Sequence, residues 1–314
     1  MPRSASNFTL SVILPAFNEQ DNLKPMADQL ASVLKGVDHK IIFVDDGSQD
    51  HTLEALKELR EQNPRIHFLS FSRNFGHQNA LKAGLDHADG DCLVFMDCDL
   101  QHPPKLISEM VELWQQGNEV VYTIRHDGKD IPFFKRNTAA FFYRFLNFLS
   151  EVPITPGRAD FFLIDRKVAD VLKEYDESPL FFRGMLPWIG FKQAQINYEP
   201  AQRHSGVTKY SIRKMFEFAV DGITSFSIKP LRVSIFSGVF ISLGAFIYLM
   251  YIIYERLFTT NAVSGWASIL ACVLLLGGIQ LLTLGIIGEY LGKLFMGAKK
   301  RPNYIVRERS SMDI

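Results

Sequence analysis

The chain has 314 residues, enough for one large domain or two modest ones. Hydrophobic residues make up 47% and mean hydropathy is +0.03, which is high for a purely soluble protein. Its 34 Lys and Arg balance 34 Asp and Glu, so no net field draws in nucleic acid, and three cysteines without metal-ligand spacing argue against a disulfide framework.

The first apolar, β-branched run is Leu10–Leu14, too short for a signal peptide and interrupted by Pro15. It predicts a strand, and Lys40–Val44, His67–Ser70 and Cys92–Met96 predict three more. Helical patterns at Gln20–Leu34, Thr52–Gln62 and Gln78–His87 separate them. Strands alternating with amphipathic helices mean βαβ units, a mostly parallel sheet covered on both faces, and hence an α/β, Rossmann-like class. In such sheets ligands gather beyond the carboxyl ends of the strands. The residues there are polar: "PAFNE", "DDGSQD", "SRNFGHQN" and "DCDLQHPP". No G-x-G-x-x-G follows the first strand, which removes the main support for dinucleotide binding.

Further on, the strand-like "EVVYTIR" ends at Arg125. Lys135 and Arg136 open an aromatic segment near 133–150 that reads as an interfacial helix, with an ordinary core helix as the alternative. Residues 211–230 read as a similar juxtamembrane amphipathic helix. Val233–Tyr254 and Trp266–Gly288 are charge-free and long enough to cross a bilayer. Lys229 and Arg232 precede the first run, and Lys293, Lys299, Lys300 and Arg301 follow the second; the connection holds only Arg256 among bases. The positive-inside rule then puts both termini in the cytoplasm, on a multi-pass plasma-membrane protein. The expected organisation is a cytosolic domain over 1–210, the amphipathic segment, a two-helix transmembrane hairpin over 231–292, and a basic cytoplasmic tail over 293–314. Small residues in "LLLGGIQLL" and "TLGIIGEYLG" would permit close helix packing, hence a homo-oligomer.

The four strand-end motifs, Pro15–Glu19, Asp45–Asp50, Arg73–Asn79 and Asp97–Gln101, resemble those of family-two glycosyltransferases with the GT-A fold. With "GRADFFLIDRK" (Gly157–Lys167), "RHSGVTKYSIRK" (Arg203–Lys214) and the apolar hairpin, the chain is similar to the polyprenyl-phosphate glycosyltransferases. That group includes dolichyl-phosphate mannose synthases and bactoprenol glucosyltransferases. The resemblance implies transfer of a hexose, with inversion, from a nucleotide-sugar such as UDP-glucose to undecaprenyl or another polyprenyl phosphate at the cytoplasmic face. A processive synthase fits less well, because the Q-x-x-R-W motif is missing. A silent adaptor or translocation subunit has no physical need for an intact acidic cluster.

The resemblance also implies site residues. Asp97, Asp99 and Gln101 offer hard oxygen ligands for Mg²⁺ or Mn²⁺, with Asp99 nearest the metal and Asp97 also serving ribose or phosphate. Pro15, Ala16, Asn18, Glu19, Asp46 and Ser48 are expected at the nucleotide base and ribose. Asp46 and Ser48 can equally form a turn and N-cap ahead of Thr52. Arg73 and Asn74 suit either a phosphate or the next helix start. Arg125, Lys135, Arg136, Arg203 and Lys209 are candidates for the acceptor phosphate. Asp160 is expected beside the acceptor, as a base or as an electrostatic group. The family pattern puts an arginine two positions after it, where this chain has Phe162.

Overall fold

In the computed structural model, the described residues are 8–126, 144, 147–148, 155–175, 181–199, 224, 227–258 and 265–311. Strands β1 (Thr9–Ala16), β2 (Asp38–Asp45), β3 (Ile66–Phe71) and β4 (Cys92–Phe95) alternate with helices α1 (Gln20–Val33), α2 (Thr52–Gln62) and α3 (His77–His87). After α4 (Leu106–Gln115) come β5 (Val120–Arg125), β6 (Arg158–Asp165), α5 (Arg166–Lys173), α6 (Phe182–Trp188) and β7 (Gln193–Tyr198). Two long helices, α7 (Lys229–Phe258) and α8 (Trp266–Ala298), precede a last strand, β8 (Val306–Arg309).

Among the described residues the strands form one sheet in the order β7-β5-β6-β4-β1-β2-β3-β8. β1 to β4 are mutually parallel, β6 is antiparallel to β4 and β5, and β8 is antiparallel to β3. The central strands carry continuous apolar runs, Val12–Leu14 in β1, Ile41–Val44 in β2 and Cys92–Phe95 in β4, because both faces of the sheet are buried there. Leu10, Val12 and Leu14 pack toward Leu23, Met26 and Leu30 of α1 and Met110 of α4. Ile13 points the other way, toward Leu81 and Leu85 of α3 and Phe182 of α6. Here α3 lies so close that a Cβ at Gly84 would fall 2.2 Å from Ile13 Cγ2, so only glycine fits. In α1, Leu23, Met26, Ala27 and Leu30 repeat at i, i+3, i+4 and i+7, which is why one stripe of that helix is buried.

The expected membrane spans lengthen to 30 residues in α7 and 33 in α8. At 1.5 Å per residue these are about 45 and 50 Å long, more than the roughly 30 Å hydrocarbon core. Both are long and apolar enough to cross a membrane, and side chains such as Phe236, Phe240, Leu281 and Leu282 stand exposed. Tyr290 donates to the Ser227 carbonyl (2.5 Å), and Lys293 to Thr224 (2.5 Å), so the end of α8 meets the entry to α7.

The expected tail over 293–314 is corrected. Its first residues continue α8, and Val306–Arg309 returns to the sheet as β8, so the domain does not close at residue 210. Four residues with alternating charge gave little apolar signal. Their strand is held by the open edge of β3, where Phe68 N donates to Ser310 Oγ (3.0 Å) and Ser310 N to the Phe68 carbonyl (3.1 Å). The interfacial helix near 133–150 lies outside the described residues apart from helical positions 144, 147 and 148. Most of 211–230 lies outside them as well.

Candidate functional site

The first three motifs fold into loops stitched to one another at the carboxyl ends of β1, β2 and β3. Pro15 and Ala16 are buried residues of β1 itself, and the Ala16 carbonyl accepts from Asp46 N at 2.9 Å. Asn18, at φ +56°, donates from its N–H to Ser48 Oγ (2.9 Å), and its Oδ1 accepts from Gln49 N (2.8 Å). Glu19 N donates to Thr52 Oγ1 (3.0 Å). Asp46 turns toward the third loop, accepting from Phe75 N at 2.6 Å and Gly76 N at 2.9 Å. Burial pushes its carboxyl up, with the two backbone donors pulling the other way. Gly47, at φ +69°, allows this approach, since a Cβ there would lie 2.4 Å from the Arg73 backbone. The N-cap alternative for Ser48 does not hold: Asp50 supplies the helix-start acceptor, taking hydrogen bonds from Thr52 N (3.1 Å) and Oγ1 (2.6 Å). Arg73 lies 4.0 Å over the Phe75 ring and donates to the Asn74 carbonyl, and no side chain caps α3.

The acidic cluster follows β4. Asp97 and Asp99 are half-buried on an irregular turn that Leu100, at φ +62°, bends back. Asp99 accepts from Gln101 N (3.1 Å) and Gln101 Nε2 (2.9 Å), and Gln101 Oε1 accepts from Arg125 at 3.1 Å. Asp97 N donates to His102 Nδ1 (3.0 Å), and the His102 ring stacks on Phe161. Asp97 Oδ1 is a buried atom with no hydrogen-bond partner. A carboxylate oxygen is costly to bury unpaired, and a cation is one way to compensate it. Among the described residues no three His, Cys, Asp or Glu side chains converge as a closed metal cage. Two half-buried carboxylates, with Asp97 Oδ1 accepting no hydrogen bond and only His77 Nε2 at 3.5 Å beside it, fit a hard divalent ion that takes its remaining ligands from water and a substrate phosphate.

Asp160 does not cap a helix. It sits inside β6, 6% exposed, while Asp165 caps α5 by accepting from Lys167 N at 3.0 Å. Arg183 of α6 grips it from both sides, Nε to Oδ1 at 2.7 Å and a terminal nitrogen to Oδ2 at 2.8 Å. His77, the first residue of α3, places Nε2 3.5 Å from Asp160 Oδ2 and 3.5 Å from Asp97 Oδ1. Burial would raise the Asp160 carboxyl, but Arg183 and His77 outweigh it and hold it well below the usual range. Burial likewise disfavours a charged His77, yet Asp97 and Asp160 push it up to about 9. A line of alternating charges, Asp97, His77, Asp160 and Arg183, thus links the acidic cluster to α6.

Of the expected acceptor-phosphate cations, Arg125 is exposed at the end of β5 and lies against Gln101, beside the acidic cluster. Lys135, Arg136, Arg203 and Lys209 fall outside the described residues. Arg158 is buried over the Tyr122 ring at 4.0 Å and serves packing. Sequence reasoning missed His77 and Arg183. His77 lay within the quoted third motif. Arg183 belongs to "FFRGMLPWIGF", where a lone cation in an apolar run was the available sign.

Residues 11–172 match the model of glycosyl transferase family 2. The chain is 43% identical over 300 residues to the uncharacterized glycosyltransferase YkcC of Bacillus subtilis, covering 95% of this chain and 93% of that protein. It is 38% identical to the prophage bactoprenol glucosyl transferase homolog of Escherichia coli (95% and 98% covered), and 37% identical to the bactoprenol glucosyl transferase of Shigella phage SfII (95% and 97%). Among solved structures, the mannosyltransferase PcManGT of Pyrobaculum calidifontis, in complex with GDP-Man and Mn²⁺, aligns with TM-score 0.51 at 15% identity, covering 96% of this chain and 88% of that one. This last likeness concerns the GT-A fold.

Proposed function

The chain belongs to glycosyl transferase family 2 and is a glycosyltransferase, and on that premise we propose that it transfers glucose from UDP-glucose to a polyprenyl phosphate. The observation that carries this is the near full-length match, apolar helices included, to relatives named bactoprenol glucosyl transferase. Those helices anchor the enzyme as a hairpin in the plasma membrane, with the sheet and both termini on the cytoplasmic side.

The stitched loops of β1, β2 and β3, with Asn18, Glu19, Asp46 and Ser48, receive the nucleotide. Asp97 and Asp99 would hold Mg²⁺ or Mn²⁺, with Gln101 steadying Asp99; when bound, that ion supplies Lewis-acid stabilisation to the departing diphosphate. The acceptor phosphate is already mostly dianionic at pH 7, because its second pKa is about 6. It therefore needs placement more than deprotonation. Arg125 and, from segments outside the described residues, Lys135, Arg136, Arg203 and Lys209 provide the cationic surface that places it. Asp160, with both oxygens on Arg183, is a poor base. It acts as a fixed negative charge beside the sugar as positive character develops at the anomeric carbon, and attack from the face opposite the diphosphate gives inversion.

The test is incubation of membranes carrying the protein with undecaprenyl phosphate and radiolabelled UDP-glucose, GDP-mannose or UDP-galactose. UDP-glucose should label the lipid, and EDTA should abolish labelling. Labelling from another donor alone would reassign the sugar. No labelling from any donor, with Mg²⁺ and Mn²⁺ both supplied, would overturn the function.

A further inference from the structure

The two connections between the sheet and the long helices leave from opposite edges of the sheet and from the same end of it. β7 is the first strand in the order and β8 the last. β7 is parallel to β5, which is antiparallel to β6, which is antiparallel to β4. β7 therefore runs with β1 to β4, and the chain leaves it toward α7 at the ligand end. β8 is antiparallel to β3, with Val306 opposite Phe71 at the end of β3 and Arg309 opposite Leu69. The chain coming from α8 thus also enters the sheet at the ligand end.

The second connection is short and firmly docked. Only residues 299–305 separate Ala298 from Val306, a reach of about 25 Å at full extension. Ser72 N donates to the Ile305 carbonyl (3.0 Å), and Tyr304 stacks on Phe71 at 5.2 Å and donates to Asp86 (3.0 Å). Lys57 pairs with Glu308 at 2.7 Å. The strap continues inward to the nucleotide loops: Ser70, opposite Glu308, donates to Asp45 Oδ2 (2.7 Å), whose Oδ1 accepts from Ser48 N (2.9 Å).

We propose that residues 299–311 are a positioning strap that holds the sheet by its second edge and so fixes the height of the transfer site above the bilayer. One attachment, through β7 and α7, leaves the domain free to swing. Two attachments at opposite edges sling the site, which lies at the central strands, between them. This rests on the assignment above, because the strap matters for an acceptor whose phosphate is confined to the membrane surface. A lipid phosphate and a site held at matching height meet at high effective concentration; a slack strap dilutes that encounter.

The experiment inserts ten Gly/Ser residues between Arg301 and Pro302, which keeps β8 docked and slackens only the tether. Transfer to full-length polyprenyl phosphate in phosphatidylethanolamine/phosphatidylglycerol vesicles should fall about tenfold in kcat/KM. Transfer to a short-chain, water-soluble polyprenyl phosphate should be unchanged. Equal losses on both acceptors would make the segment a fold element only, and no loss on either would overturn the strap. A readout independent of activity uses a fluorophore on His51→Cys in a Cys272→Ser background; His51 is exposed at the ligand end, and Cys92 and Cys98 are buried. Quenching by nitroxide-labelled lipid headgroups should be strong in the parent and lost on insertion. Identical quenching would refute the strap whatever sugar or lipid the enzyme uses. Failure of both acceptors in the parent, with quenching behaving as stated, would instead count against the assigned reaction.

Discussion

The two halves of the sheet hold their polar groups in different ways. Beside β1, β2 and β3 the groups are neutral hydrogen bonds or carboxylates on backbone N–H and hydroxyl groups: Asn18 N–H on Ser48 Oγ, Asp46 on Phe75 N and Gly76 N, Asp45 on Ser48 N and the Ser70 hydroxyl. Beside β4 and β6 they are ion pairs between elements far apart in sequence, with 23 residues from Asp160 to Arg183 and 83 from His77 to Asp160. Hydrogen bonds to backbone survive small movements of a ligand. A chain of alternating charges does not, because removing one member leaves its neighbour uncompensated. The half proposed to receive the nucleotide is therefore a prebuilt cradle, and the other half is an electrostatic unit that works or fails together.

Substitutions should expose that contrast, most strongly at the acidic cluster. Asp99→Ala is expected to lower transfer by on the order of a hundred- to a thousandfold, with the thermal transition little changed. Retained metal-dependent activity in that variant would place the ion elsewhere. Next comes Arg183→Ala, which leaves buried Asp160 with His77, 3.5 Å from Oδ2, as its remaining counter-charge. Loss of about 2–4 kcal/mol of stability is expected, kept below the range for a fully buried pair because Arg183 is 32% exposed. Activity should fall with it, and Arg183→Lys should recover only part, since a lysine cannot reproduce the two-pronged contact. If Arg183→Ala is as stable as the parent, the ion pair does not hold this half together. A smaller effect belongs to the cradle: Asp46→Asn keeps one acceptor, so KM for the nucleotide-sugar should rise about tenfold while KM for the lipid stays put. A change in the lipid constant alone would move Asp46 out of the nucleotide half.

The same contrast explains what was legible in the sequence. The cradle was visible because each motif directly follows a strand whose apolar run is itself visible, and a parallel sheet forces those ends together. The two long apolar helices were visible because Val233–Tyr254 and Trp266–Gly288 carry no charge at all. Arg183 was hidden because its partner is fixed by the antiparallel strand β6, which no alternation rule pairs with α6. His77 was hidden by its neighbours Arg73 and Asn74, which look better suited to an anion yet are occupied with Phe75 and the local backbone. β8 was hidden for a third reason: a four-residue edge strand needs no hydrophobic pattern when the exposed edge of β3 supplies the register.

The finest test of the charged half is its pH dependence. His77 ordinarily titrates near 6.5 and here is pushed up to about 9 by Asp97 and Asp160. A raised value means that the folded protein binds the proton more tightly than the unfolded chain. The imidazolium's contribution is therefore complete below about 6.5 and fades as pH climbs through 9. Asp160, held low, has the opposite sense: its contribution is present above the ordinary carboxylate value and is lost only in strong acid. Between pH 7 and 9.5 only His77 of the two changes its charge. The ring is 40% exposed, so solvent screens it and the effect should be about 1 kcal/mol. Thermal denaturation in detergent with EDTA should show the parent losing stability across that window. His77→Gln should start lower at pH 6.5 and converge with the parent above pH 9. Curves that run parallel throughout would mean that His77 does not bridge the two carboxylates, and the charged half would reduce to the Asp160–Arg183 pair.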